Sequence, residues 1–126
     1  MIKTEVFANE TDILIAPELA FALPCIVGDT GVVANAEGKK IIKAGTPLYG
    51  SANPFMERQT VLTVTGTNAY GVARWDIDVT AGSTNGTLLV DGYVDYLKLD
   101  DSVKALVDAQ EIKAKLDILF IKGRAL

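Results

Sequence analysis

Residues 71–99 read "GVARWDIDVTAGSTNGTLLVDGYVDYLKL", and the fold turns on how this stretch is read. A period of two puts Tyr70, Val72, Arg74, Asp76 and Asp78 on one face and Gly71, Ala73, Trp75, Ile77 and Val79 on the other, with Trp75, Ile77 and Val79 marking the inward side. Residues 81–86, "AGSTNG", tolerate positive φ and reverse the chain. The return strand, Thr87 to Leu97, places Leu88, Val90, Val94 and Tyr96 on one side and Leu89, Asp91, Tyr93 and Asp95 on the other. Hairpin registry then brings Asp76 roughly opposite Asp91, with Arg74 nearby on the same face.

Outward from this hairpin, Asp100, Asp101 and Ser102 offer a cap and first-turn acids to a helix over about 102–116, with Val103, Leu106, Val107, Ile112 and Leu116 as its apolar stripe. Asp117 to Gly123 brackets four apolar residues, which suits a last buried strand or a continuing helix. Upstream, Ile26-Val27, Val32-Val33 and Ile41-Ile42 alternate with the turn pairs Gly28-Asp29, Glu37-Gly38 and Ala44-Gly45. A polar loop over 50–60 precedes a strand over 61–65. The fold class is therefore α+β: a small β-rich domain of antiparallel hairpins, barrel- or tulip-like, with one helix near the C-terminus. Residues 1–24 read as an extended N-terminal arm and residues 25–126 as the domain.

That arm carries Val6, Phe7, Ile13, Leu14, Ile15, Leu19 and Phe21, and Pro17 and Pro24 each block a helix. Side chains of this kind need covering. Two readings suit them equally: contact with a partner, or a strand packed on the chain's own domain.

Composition narrows the chemistry. The 126 residues make one domain's worth of chain, and 49% hydrophobic with 22% charged residues is a folding composition. Twelve basic against 16 acidic residues, a net charge of -4, and no Lys/Arg cluster argue against nucleic acid. No histidine is present, which removes the commonest general base and metal imidazole. Cys25 is alone, so an intrachain disulfide and a thiolate zinc site are both excluded, and it reads as a small buried hydrophobe. The glycines at 28 and 31 lack the following Gly-Lys-Ser/Thr of a phosphate loop, and Ser51, Ser83 and Ser102 lack a histidine to activate them. No basic leader with an apolar core opens the sequence, and no run of about 18 apolar residues would span a bilayer; the expectation is a reducing, soluble compartment or an assembly built there.

Asp76, Asp78, Asp91 and Asp95 form no spaced calcium loop and read as a solvated strand face, with a cation between Asp76 and Asp91 as the one point to check. The expectation is no catalytic residue, no metal and no cofactor.

Some residues point further. "AGTPLYG" (44–50), a variable loop, Gly71-Val72, Asp76-Ile77-Asp78-Val79-Thr80, then Asn85, Thr87, Leu89-Val90, Gly92, Val94-Asp95 and Lys98-Leu99 before an acid-led helix give an order that resembles capsid decoration proteins of tailed bacteriophages, of the lambda-type and head-fibre-like families. The resemblance covers roughly residues 44–107 and rests on β grammar. It implies a structural virion protein, not an enzyme, made in the host bacterial cytoplasm. Such a protein binds the outer head surface as a homotrimer and clamps major capsid subunits, with the arm at the contact. The alternative from the residues is a small β-barrel module that binds carbohydrate or peptide through Trp75 and the tyrosines.

Overall fold

The structure, a computed structural model, describes residues 12–66, 69–109 and 116–122. Short β-branched and aromatic runs separated by turn residues form β1 (Leu14–Ile15), β2 (Phe21–Val27), β3 (Ile41–Ile42), β4 (Pro47–Tyr49), β5 (Val61–Leu62), β6 (Ala69–Ala73), β7 (Ile77–Asp78), β8 (Thr84–Asp95) and β9 (Asp117–Ile121). Among the described residues one α-helix, α1 (Asp101–Ala109), lies between β8 and β9 in sequence. The result is a small α+β domain, rich in strand.

Five strands run in the order β4-β6-β8-β2-β5. The two ends of that order meet, because Tyr49 and Thr63 exchange backbone hydrogen bonds of 2.8 and 2.9 Å. The sheet thus closes into a small barrel. Cys25, Val27, Leu48, Leu62, Ala73 and Leu88 fill it, and Ile42 and Ile77 from the β3–β7 ribbon, with Val79 just after it, pack onto the same core. Burial pushes the Cys25 thiol up to about 11. At Gly71 a side chain would run into the Leu89 carbonyl oxygen, so glycine is what lets β6 lie this close to β8.

β8 is 12 residues long and outruns the barrel. Beyond Leu89 its neighbours change: β1 continues on the β2 side, and β9 replaces β6 as a parallel neighbour. A bulge sits at this handover, since Ala22 faces Leu89 while Phe21 faces Asp91, leaving Val90 as the extra residue. One extra residue switches the face of every side chain after it. Leu89 and Val94 therefore share a second core with Val72, Ile118, Ile13 and Leu14, onto which α1 lays Val103 and Val107. Arg74, mostly buried, stacks on the Trp75 ring at 3.8 Å. One of its terminal nitrogens lies 3.1 Å from an Asp12 carboxylate oxygen without the alignment of a hydrogen bond.

Several expectations are corrected here. The arm boundary at residue 24 falls inside β2, and residues 12–24 belong to the domain. Ile13 and Leu14 are buried in the chain's own core, because α1 and β8 close over them. The hairpin strand breaks at Arg74–Asp76, so β6 pairs with β8 but β7 pairs with β3. Val32-Val33 is loop rather than strand. The helix begins at Asp101 with Asp100 capping it; Ile112 lies outside the described residues, and Leu116 is not helical.

Candidate interaction surface

Along β2, the side chains facing the barrel interior run Phe21, Leu23, Cys25, Val27, and they pass from 54% exposed at Phe21 to 0% at Val27. The barrel is shut at the Val27 end, where Ile77 of the ribbon sits against Gly86 and Val27 packs beside it. Toward the Phe21 end burial falls away. There the same face of the sheet continues onto the three-stranded wing of β1, β8 and β9.

Register defines this open face. Tyr93 is flanked by Ile15 on β1 and Leu119 on β9, which makes an apolar row across the wing. These residues are 37%, 38% and 57% exposed, in that order. The adjacent row is Phe21, Asp91 and Asp117; on the other side Asp95 stands beside Ile121. The opposite face of the same strands, with Val94, Ile118 and Phe120, is covered by α1. One side of the wing is a core, and the other is an apolar surface bordered by carboxylates.

The charges on that border are unbalanced. Asp91 and Asp117 are direct cross-strand neighbours, and no ion pair or hydrogen bond to either side chain exists among the described residues. Asp95 accepts a hydrogen bond from the Leu97 N–H at 3.2 Å, closing the turn that follows β8.

The interface residues expected from sequence divide into three groups. Val6 and Phe7 lie outside the described residues; Ile13 and Leu14 are core; Ile15, Leu19 and Phe21 are exposed. Ile15 and Phe21 meet on the open face, whereas Leu19 sits on the 3-10 turn Pro17–Leu19 that links β1 to β2. Sequence reasoning missed Tyr93, Leu119 and the carboxylate at 117 as members of the same surface. The signal available was the alternation Asp117, Leu119, Ile121 beside Asp91, Tyr93, Asp95.

The aspartates singled out in the hairpin are scattered. Asp76 and Asp91 are not opposite one another: Asp76 accepts from the Ala44 N–H at 2.8 Å and lies 4.0 Å from the Lys43 ammonium. Asp78 accepts from the hydroxyl and the N–H of Thr80, and those bonds hold its carboxyl below the usual carboxylate range. Among the described residues no group of three or more Asp, Glu or Cys side chains is placed to hold a metal ion, and no helix is long and apolar enough to cross a membrane.

An open groove of about 490 Å³ lies at the barrel seam, lined by Tyr49, Ser51, Thr63 and Thr65 among others. Tyr49 is only 6% exposed there, so its ring offers little face for a sugar to stack on. Trp75 is half-buried against Arg74. The open face of the wing is the stronger candidate.

No protein-family model, curated protein or solved structure matches this chain.

Proposed function

We propose that the protein is a structural component of a bacteriophage virion, a head decoration protein that assembles as a homotrimer on the outer capsid surface and ties major capsid subunits together. The observation that carries this reading is the open face, where Ile15, Phe21, Tyr93 and Leu119 lie exposed on one side of paired strands. An apolar patch held on paired strands is suited to docking. The role needs no catalytic group, no cofactor and no nucleic acid. Many weak equivalent contacts on a shell gain strength through avidity, so a modest surface on each protomer suffices.

A truncation of residues 1–20 would not test this cleanly, since it removes Ile13 and Leu14 from the core. The better test is a pair of substitutions on the open face, Phe21→Asp with Tyr93→Asp, in the full chain. Native mass measurement is expected to give a trimer for the unaltered protein. Co-sedimentation with heads assembled from the major capsid protein of the same genome is expected to saturate, and to weaken at least ~10-fold in the double variant. A monomer at all concentrations that never co-sediments would overturn the proposal.

A further inference from the structure

The open face carries information about the chemistry of whatever covers it. Its apolar row, Ile15, Tyr93 and Leu119, is bordered by Asp91 and Asp117 on one side and by Asp95 on the other. Neighbouring strands lie about 4.8 Å apart, so Asp91 and Asp117 hold two carboxylates side by side, an arrangement that destabilises a sheet unless a cation comes between them. The described part of the chain supplies none within 4.0 Å. A second copy presenting the same face would set carboxylates against carboxylates, and the net charge of -4 adds to that repulsion. Beside this face, β9 has β8 as its one strand neighbour among the described residues, so its outer edge has backbone groups available to an added strand.

We propose that the open face of the β1–β8–β9 wing docks an extended segment of a partner protein in which aliphatic side chains are flanked by lysine or arginine. The aliphatic groups cover Ile15, Tyr93, Leu119 and Phe21. A basic side chain enters between Asp91 and Asp117, where it replaces repulsion by two attractive contacts. Apolar contact supplies most of the affinity, and the carboxylates select the sign of the partner. Only the identification of that partner with a capsid protein rests on the function proposed above.

The test uses the full chain, isotopically labelled, and two synthetic peptides of equal length, one alternating leucine with lysine and the other alternating leucine with glutamate. With the lysine peptide, amide shifts are expected to concentrate at Ile15, Phe21, Asp91, Tyr93, Asp117 and Leu119. Affinity is expected to fall ~10-fold between about 50 and about 300 mM salt. Asp91→Asn with Asp117→Asn should remove that salt dependence while leaving the fold intact, because both side chains are exposed. Equal binding of the glutamate peptide, or shifts located elsewhere, would sink the proposal. So would two other occupants: concentration-dependent dimerisation abolished by Tyr93→Lys assigns the face to a second copy. Shifts of these same amides on removing residues 1–11, with no response to peptide, assign it to the chain's own N-terminal segment. No capsid enters the experiment, so its failure is separate from failure of the virion reading.

Discussion

At the scale of single residues, hydrogen bonds to aspartates hold turns and loops in place. Asp100 accepts from the N–H and hydroxyl of Ser102 at the start of α1, Asp78 does the same with Thr80, and Asp29 accepts from the Lys40 ammonium at 3.1 Å. In each case the leading cause is a side-chain hydrogen bond to the charged form, and each carboxyl is held below its ordinary value of 3.8. A carboxyl lowered in the folded state contributes stability above its unfolded pKa, and that contribution disappears as pH falls through the folded value. The thermal midpoint is therefore expected to be flat from about pH 7 to about pH 5 and to drop below about pH 4. Asp100→Ala should cost about 1 kcal/mol by removing the helix cap, and should make the acid decline shallower. Melts followed by circular dichroism across this range check both. A decline that begins near pH 6 would point to some other group.

At the scale of elements, the bulge at Val90 decides what the molecule shows to its surroundings. Upstream of it, Leu88 points into the barrel and Leu89 toward α1; downstream, Val94 faces α1 while Asp91, Tyr93 and Asp95 face outward. Deleting Val90 would remove the extra residue and set Asp91 directly after Leu89, as Phe21 is next to Ala22, so Asp91 and Tyr93 would still face outward and Val94 would still face α1. That variant is expected to fold with the same wing register, and Val90→Ala, which keeps the extra residue, should lose no more than about 1–2 kcal/mol, as read by urea denaturation. A deletion variant that exposes Val94 and buries Tyr93 would mean that Val90 is not the extra residue. Turns and the helix start were legible in the sequence because their causes are local: Asp100 and Ser102 are neighbours, as are Ala44 and Gly45. The bulge was not legible, since its cause lies in the pairing of Phe21 and Ala22 with residues far along the chain. For the same reason Ile15 and Phe21 could be read as candidates for a surface, but Ile13 and Leu14 could not be told apart from them. Burial of that pair depends on where α1 docks, and the grouping of Tyr93 with Leu119 depends on a parallel register that no local pattern encodes.

At the scale of the whole molecule, two cores share one sheet, and adjacent residues of β8 feed each of them. Leu88 belongs to the barrel core and Leu89 to the core under α1, both essentially inaccessible to solvent. Neither core can come apart without disturbing the strand that the other depends on, so barrel, wing and helix should unfold as one unit. Two probes distinguish this from stepwise loss. Trp75 stacks on Arg74, next to the contact with Asp12, and its fluorescence follows the packing of the N-terminal segment. Cys25 lies in the barrel core with its thiol pushed up to about 11, so it should react with a thiol reagent near pH 8 only when the barrel opens. In urea the two signals are expected to share one midpoint. Leu88→Ala and Leu89→Ala, each costing about 2–5 kcal/mol, should move both signals together. Separate midpoints, with Trp75 changing first, would show instead that the wing frays while the barrel stands. The outcome bears on function: a wing that unfolds only with the barrel presents Ile15, Tyr93 and Leu119 already ordered, so docking pays little conformational entropy for arranging them.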